Sequence, residues 1–182
     1  PCVDISNAGQ QKGFEEGSGT RSSLLWECRK AIIAKKPKYL LMENVKALVS
    51  KKFFPMLKNW IWELQEYGYT NFIQVLNAKD YGVPQNRERV FMVSILDENA
   101  KYEFPEPFPL EKKLKDVLED EVDEKYYLSD KMIKCFENRT QIAKEKGNGF
   151  RFAPTDGGGY AKAILTCAGS RPDDNFIIYE NG

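Results

Sequence analysis

The chain has 182 residues, 42% of them hydrophobic, which is enough for one domain with a real core or a domain with a smaller lobe. It carries 27 basic and 27 acidic side chains and no histidine, and a net charge of zero argues against a generic polyanion binder. No apolar run approaches the roughly 18 residues that span a bilayer, and the first residues lack the pattern of a signal peptide. The composition therefore predicts a folded protein without a membrane segment.

Four cysteines are widely spaced and form no C-x-x-C pair: Cys2, Cys28, Cys135 and Cys167. Free thiols in a reducing cytosol fit this spacing better than a disulfide framework. Without histidine or paired cysteines, the sequence predicts no zinc site.

The charge is unevenly distributed along the chain. Residues 29–58 contain nine basic side chains against one acid, Glu43, whereas residues 97–124 contain eleven acids against four bases. Two ordinary solvated surfaces would give this pattern. A basic face toward a phosphate backbone, with the acidic stretch pointing away, would give it equally well.

The predicted elements begin after a glycine-punctuated loop over residues 1–20, a kind of segment that can close over a substrate. A helix follows, and its periodicity places five residues on one buried face: Leu24, Leu25, Cys28, Ala31 and Ile32. Two lysines and Pro37 are expected to end this helix.

A short apolar run over residues 39–42 predicts a buried strand that delivers Glu43-Asn44-Val45 to its carboxyl end, the edge where ligands bind in open α/β sheets. A second helix is predicted over residues 54–67, with a core stripe of Leu57, Trp60, Ile61 and Leu64. Residues 72–77 and 90–96 are predicted to form an antiparallel strand pair, because no crossover helix separates them. This order of elements is typical of the second half of an α/β sheet.

The composition changes after residue 96. A proline-spaced segment over residues 104–109 is typical of a linker, and helices are predicted over residues 110–119 and 129–144. Short apolar runs and turns beyond Gly147, among them residues 163–165 and 176–178, indicate short strands in a small lobe. We therefore predict a catalytic α/β half-domain over 1–96, a linker over 97–128 and a small mixed α/β lobe over 129–182.

Two side chains carry groups suited to the addition of sulfur to a pyrimidine ring. Cys2 offers a thiolate, which can add to carbon 6 and so make carbon 5 nucleophilic. Glu43 offers a carboxylic acid for ring N3, provided that it holds a proton, a state that burial at a strand end favours. A small buried cysteine and a surface glutamate that caps a helix are the ordinary alternatives.

Arg87 and Arg89 are two residues apart, so on an extended chain they share one side. Their guanidinium groups could hold the cytosine carbonyl oxygen, the Glu43 carboxylate or a phosphate. Glu88 between them would face away and serve structurally, and Asn44 could fix its turn through side-chain hydrogen bonds. An exposed basic pair beside a strand is the alternative.

These signatures, in this order, resemble the DNA (cytosine-5)-methyltransferases. That family carries a Pro-Cys loop, a Glu-Asn-Val strand end and a Gln-x-Arg-x-Arg segment, matched here by Pro1-Cys2, Glu43-Asn44-Val45 and Gln85-Asn86-Arg87-Glu88-Arg89. The similarity also covers the loop 9–15 and the approach 81–85. It implies the C-terminal half of a Rossmann-like methyltransferase sheet followed by part of a target-recognition lobe.

The resemblance also implies roles for these residues. Cys2 would be the covalent nucleophile, Glu43 the group at N3, and Arg87 and Arg89 the clamps on the base and the active site. Three further residues would contact the substrate or DNA: Ser6, Asn44 and Gln85. Double-stranded DNA is the implied partner, and the target cytosine must leave the helix because carbon 6 is unreachable inside a stacked duplex. A cytoplasmic location in a prokaryote or a phage host is implied as well.

Three positions depart from the family pattern. Val3 stands where the family has Gln, which removes an expected hydrogen bond to DNA, and Ile5 stands where it has Phe. In the predicted lobe, Ala163 and Ile164 occupy the place of a Thr followed by an apolar residue, and Thr166 is displaced. Ala163 and Ile164 could equally be ordinary strand core.

S-adenosyl-L-methionine is the methyl donor that the resemblance implies, yet relatives bind it through a glycine-rich loop and acidic residues upstream of the cysteine. Gly157-Gly158-Gly159 follows no convincing strand and does not replace that loop. We therefore expect an internal fragment that needs the missing N- and C-terminal parts of its parent enzyme and is inactive alone. A non-catalytic DNA-binding remnant of a truncated gene and a cytosine-5 methyltransferase of transfer RNA are the alternatives.

Overall fold

The computed structural model describes residues 4–6, 11–13, 15–149, 151–164 and 169–179. The chain divides into two compact units, the first formed by Pro1–Asn77 and Glu88–Glu106 and the second by Ala78–Arg87 and Pro107–Gly182. The strands are β1 (Tyr39–Val45), β2 (Thr70–Asn77), β3 (Gln85–Asn86), β4 (Glu88–Ile95) and β5 (Ala161–Lys162). The α-helices are α1 (Leu25–Lys35), α2 (Phe54–Glu66) and α3 (Asp130–Glu145).

The first unit is built on a three-stranded antiparallel sheet in the order β1-β4-β2. The predicted antiparallel pairing of β2 with β4 is confirmed, with Asn77 opposite Glu88 and Thr70 opposite Ile95. The central strand β4 buries one face completely, through Val90, Met92 and Ser94. Alternation along the strands directs this face toward the helices and leaves the other face available for polar groups.

Strand β1 is longer and more exposed than predicted. It extends to Val45, and Tyr39 and Leu41 are 63% and 72% exposed. The prediction of a fully buried strand is wrong for this chain, because β1 is an edge strand that packs only its alternate residues, such as Leu40 and Met42, against the core.

Helix α2 confirms its prediction closely. Pro55 lies in its first turn, where a missing N–H costs nothing, and Gly68 with φ of 92° follows its end. Leu57, Trp60 and Leu64 are buried along one stripe. This stripe forms the centre of the first unit's core.

Helix α1 has its predicted end but only part of its predicted face. It ends at Lys35, and the next residue, Lys36, has a left-handed backbone and donates its N–H to the carbonyl of Ile32. Ile32 is buried, but Leu24, Cys28 and Ala31 are exposed, so the predicted face is partly wrong. The helix is rotated about its axis relative to the prediction, because Trp26 packs on the core. The centroid of its ring lies 5.8 Å from that of Trp60, and the two rings meet edge-on.

The second unit contains helix α3 and little regular strand. Ser129 caps α3 by accepting a hydrogen bond from the Met132 N–H, as expected for the predicted helix 129–144. The helix predicted over 110–119 is wrong, because only a 3₁₀ turn, Leu114–Val117, is present. Two N–H groups of this segment donate instead to the carbonyls of Gly159 and Gly157, at 2.7 and 2.9 Å.

Aromatic packing replaces a sheet in the core of the second unit. The rings of Phe136, Phe152 and Phe176 meet one another at centroid distances of 5.2 to 5.6 Å, beside an apolar cavity of about 410 Å³. Strand β5 pairs in parallel with β3, and Thr155 forms an isolated bridge with Ile177. Ile164 is 63% exposed, so the interpretation of that position as strand core is wrong.

The described residues contain neither a membrane-spanning helix nor a cluster of metal-binding side chains. None of their helices combines the length and apolarity needed to cross a membrane. Within the same residues, no three histidine, cysteine, aspartate or glutamate side chains gather where they could hold a metal ion. Cys28 and Cys135 are free, exposed thiols.

The core of the first unit makes a stability prediction. Leu64 is 0% exposed, so Leu64→Ala should lower the free energy of unfolding by about 2–5 kcal/mol, through lost burial and an unfilled cavity. Leu41→Ala is the matched control, because the same atoms are removed from a side chain that is 72% exposed, and a change within about 0.5 kcal/mol is expected. Urea denaturation followed by circular dichroism compares the two variants. Equal decreases in the free energy of unfolding would contradict the assigned core.

Candidate active site

The carboxyl end of β1 and the start of β4 bring Glu43 and Arg89 together. The two strands pair antiparallel with Glu43 opposite Phe91 and Val45 opposite Arg89. Residues directly opposite each other share a face, so Glu43 and Arg89 are diagonal neighbours on the face away from the buried core. Arg89 Nε lies 3.0 Å from Glu43 Oε1.

Arg89 is held by two acceptors. Besides the Glu43 carboxylate, its Nη1 donates to the carbonyl oxygen of Glu88 at 2.8 Å. Its side chain is only 20% exposed. The sequence analysis allowed three partners for the arginines: the cytosine carbonyl oxygen, the Glu43 carboxylate and a phosphate. In the structure, Arg89 binds the Glu43 carboxylate.

The carboxylate of Glu43 is more accessible than expected. Its side chain is 49% exposed, so the expectation of burial at the strand end is wrong for this chain. The cause is the edge position of β1, whose outward residues, Tyr39 and Leu41, are exposed in the same way. A carboxylate anchored by a guanidinium and open to solvent on another side can still receive a hydrogen-bonding ligand.

Asn44 stabilises the strand end locally. The N–H of Val45 donates to Asn44 Oδ1 at 2.9 Å, the side-chain hydrogen bond that the sequence predicted. The next residue, Lys46, begins a 3₁₀ turn that runs to Val49. Asn44 therefore fixes the backbone between Glu43 and that turn.

Gln85 and Arg87 belong to the second unit. Gln85 lies in β3 opposite Ala161 and donates its N–H to the carbonyl of Val83. Arg87 lies between β3 and β4, and its carbonyl accepts from the N–H of Ala78 at 3.2 Å. Since Arg87 is not part of β4, the shared side of Arg87 and Arg89 stays a prediction.

The start of the chain is anchored next to the predicted nucleophile. Cys2 and Val3 lie outside the described residues. Ile5 is 2% exposed and belongs to the core of the first unit, and the carbonyl of buried Asp4 accepts from the Gly13 N–H at 2.8 Å. Ile5 is thus a core residue of the first unit, and half-buried Ser6 follows it directly in the sequence.

Sequence reasoning missed one partner in this region. Glu88 does face away from Arg89, as predicted, but its carboxylate meets Lys46 Nζ at 2.6 Å. The signal was available, because Lys46 directly follows the Glu-Asn-Val strand end and Glu88 lies within the Gln-x-Arg-x-Arg segment. The strand register was needed to bring them together.

Several bases of the stretch 29–58 have partners within the first unit. Arg29 pairs with Glu16 and Glu63, and Lys52 donates to the Gln11 carbonyl oxygen. The uneven charge along the sequence is therefore partly compensated in three dimensions by acids from other segments. A basic DNA-facing surface stays a prediction.

The glycine run Gly157-Gly158-Gly159 packs against the 3₁₀ turn Leu114–Val117. A side chain at Gly157 would meet the backbone nitrogen of Lys115 at 3.0 Å, so this glycine is needed for packing on the 3₁₀ turn. The carbonyls of Gly157 and Gly159 are taken by that same turn. The glycine run, as the sequence indicated, is not a cofactor loop.

Comparison with known proteins identifies the family. A family model described as C-5 cytosine-specific DNA methylase matches residues 1–169. The chain belongs to this family. It is 52% identical over 133 residues to the type II methyltransferase M2.ScrFI of Lactococcus lactis subsp. cremoris, which covers 73% of the chain and 37% of that protein.

A second relative agrees with this assignment, and a solved structure shares the fold. The methylase chain is 46% identical over 152 residues to the orphan methyltransferase M.SssI of Spiroplasma monobiae, covering 81% of the chain and 38% of that protein. The crystal structure of Spodoptera frugiperda DNMT2 matches 96% of the chain and 50% of its own length, with a TM-score of 0.66 and 20% identity. The predicted partial methyltransferase fold is confirmed, and the chain spans less than half the length of these two curated relatives.

The contact between Glu43 and Arg89 makes a second prediction. In a double-mutant cycle of Glu43→Gln and Arg89→Met, unfolding free energies should show a coupling of about 0.5–1 kcal/mol, because half-exposed pairs are partly screened by water. The exposed pair Glu27 and Lys30 on α1, 2.9 Å apart, is the control and should couple by no more than about 0.5 kcal/mol. No coupling between Glu43 and Arg89 would show that their contact does not persist in solution.

Proposed function

We propose that this methylase-family chain is the catalytic region, with part of the target-recognition region, of a longer enzyme that methylates carbon 5 of cytosine in double-stranded DNA. The pairing of Glu43 with Arg89 at the adjoining ends of β1 and β4 carries the proposal. It supplies an anchored carboxyl group where the family's Glu-Asn-Val and Gln-x-Arg-x-Arg segments meet. The membership of the chain in the family supports the same reaction.

Cys2 is the proposed nucleophile. Its thiolate adds to carbon 6 of the cytosine, a carbon–sulfur bond forms, and the electron pair of the 5,6 double bond makes carbon 5 nucleophilic. Ile5, three residues after Cys2 in the sequence, belongs to the core of the first unit, and this supports a role for Cys2 beside that unit. Val90, the neighbour of Arg89, is part of that core.

Glu43 is proposed to act at ring N3. Attack at carbon 6 places negative charge in the ring. Glu43, once it has taken a proton from solvent on its exposed side, donates that proton or a hydrogen bond to N3 and so stabilises the charge. Arg89 fixes the position of the carboxyl group through Nε, and the exposed side of Glu43 is where a base can approach. A bound base would also exclude the water that now reaches this side chain.

Four further residues are proposed to position the nucleotide. Arg87 and Gln85 would bind the base or its sugar-phosphate, and Ser6 a phosphate oxygen, since guanidinium, amide and hydroxyl groups are suitable donors. Asn44 accepts from the Val45 N–H through Oδ1, and its amide nitrogen is the group proposed to donate to the substrate. The cytosine must be extruded from the duplex to reach these groups, at a cost of a few kcal/mol.

The methyl donor of the proposed reaction is S-adenosyl-L-methionine. The glycine run of this chain packs on the Leu114–Val117 turn and does not fit that cofactor. We infer that its pocket is supplied by parts of the longer enzyme that correspond to the unmatched length of the relatives. No step involving the donor is assigned to the present residues.

Covalent trapping tests the nucleophile. In a full-length protein that contains this chain, Cys2→Ala should abolish the stable adduct on DNA carrying 5-fluorocytosine, because no thiolate remains to attack carbon 6. Cys28→Ala is the matched control, since Cys28 is an exposed free thiol on α1. The adduct is measured as a shifted band on a denaturing gel.

Three outcomes of the trapping experiment would change the proposal. Unchanged trapping by Cys2→Ala would reject Cys2 as the nucleophile. Trapping on an RNA duplex in preference to DNA would transfer the proposal to an RNA substrate. Absence of trapping by the unsubstituted protein, with DNA binding retained, would favour a non-catalytic DNA-binding protein.

The 182-residue chain alone is expected to transfer no methyl groups. The physical reason is that the proposed division of the enzyme places the donor pocket in other parts of the longer protein, which leaves the carbon 5 nucleophile of this chain without a reagent. Incorporation of tritiated methyl from labelled S-adenosylmethionine into cytosine-containing duplex DNA measures this, with a full-length protein as the positive control. Incorporation by the purified chain alone would contradict the proposed division of the enzyme.

A further inference from the structure

We propose that Lys46 and Glu88 form a positioning pair that keeps Arg89 on Glu43. The effect of this pair on catalysis rests on the proposed function. Its effect on the contact between Arg89 and Glu43 can be tested in this chain alone. The carboxylate of Glu88 lies 2.6 Å from Lys46 Nζ. Neither residue is proposed to touch the cytosine.

The ion pair continues the strand ladder beyond its last backbone rung. Pairing of β1 with β4 ends at Val45 opposite Arg89. The next rung in this register would join Lys46 to Glu88, but the backbone leaves the sheet there, because Lys46 begins a 3₁₀ turn. The side-chain contact between Lys46 and Glu88 therefore follows the last backbone pair of the two strands. It lies next to Arg89, the residue that binds Glu43.

The other edge of β4 is secured differently. Glu88 is opposite Asn77 in the ladder with β2, so the start of β4 has backbone pairing on that side. On the β1 side, the Lys46 contact joins Glu88 to the residue that follows β1. Loss of this contact would leave Val45 opposite Arg89 as the last rung of the ladder and loosen that rung at the position of the site.

Glu88 is also a potential competitor of Glu43. It is the residue before Arg89, and its own carbonyl oxygen already accepts from Arg89 Nη1 at 2.8 Å. Successive side chains on a strand point to opposite faces, so Lys46 holds the Glu88 carboxylate on the face away from Glu43. Without Lys46, this carboxylate could turn toward Arg89 and draw it from Glu43.

The four side chains form two charge-balanced pairs. Arg89 neutralises Glu43 on one face of the sheet edge, and Lys46 neutralises Glu88 on the other. Removing one member of the second pair leaves an unbalanced charge close to the first. The side chains of Lys46 and Glu88 are 56% and 42% exposed, so water limits the effect to the range of surface ion pairs.

Hydrogen exchange at Arg89 Nε tests the geometry in the 182-residue chain. Lys46→Met and Glu88→Gln should each raise the exchange rate of the Arg89 Nε–H two- to fivefold, because the contact with Glu43 opens more often. The resonance is assigned by its loss in Arg89→Lys. Lys30→Met, which removes a lysine paired with Glu27 on α1, is the matched control and should leave the rate unchanged.

Charge reversal distinguishes pairing from general destabilisation. Lys46→Glu alone should raise the Arg89 exchange rate further than Lys46→Met, and combining it with Glu88→Lys should restore most of the protection. Two results would overturn the proposal. One is that Lys46→Glu and Glu88→Lys change the Arg89 exchange rate additively, and the other is that the reversed pair does not restore protection. An unchanged exchange rate in both single variants would overturn it as well.

Kinetics of a full-length protein give the functional readout. Lys46→Met should lower kcat two- to fivefold while KM for DNA and its salt dependence stay unchanged, because a positioning residue acts on the site after binding. A rise in KM with a shallower salt dependence would instead assign Lys46 to a phosphate contact and overturn the pair. If the unsubstituted protein methylates no cytosine, the proposed function fails, and the exchange measurement still decides the pair.

Discussion

The antiparallel register of β1 on β4 is the constraint on which the candidate site depends. It places Val45 opposite Arg89, so that Glu43 becomes the diagonal neighbour of Arg89 on the outer face of the sheet. A shift of one residue would turn Glu43 to the core face and separate the two groups. Leu40 and Met42, the alternate residues of β1 that pack against the core, oppose such a shift, because it would turn them away from the core. Core packing on one face thereby specifies an ion pair on the other.

The edge position of β1 explains both the openness of the site and the exposed apolar residues beside it. Tyr39 and Leu41 lie on the same face as Glu43 and are more than half exposed. Monomeric proteins rarely leave such residues together on a strand edge, and relatives of the chain are more than twice as long as the part it matches. The openness of Glu43 and the exposure of Tyr39 and Leu41 thus share one structural cause.

Local patterns predicted the elements that carry their own start and stop signals. Helix α2 has Pro55, a stripe of buried residues and Gly68, and α3 has Ser129 as its cap, so both were predicted nearly to the residue. The segment 110–119 has helical periodicity, but two of its N–H groups bond to the glycine run 157–159. That partner lies more than forty residues away in sequence, and no local signal announces it.

The sequence alone determined which chemical groups are present and their order, since Cys2, Glu43 and the pair Arg87 and Arg89 belong to short motifs that resemble one family. It also determined that Glu88 faces away from Arg89, because alternation along a strand is a local property. Only the tertiary structure decided that Arg89 binds Glu43, that Lys46 binds Glu88 and that Glu43 is half exposed. These facts depend on strand register and sheet order, which join segments more than forty residues apart and are set by the packing of the whole unit.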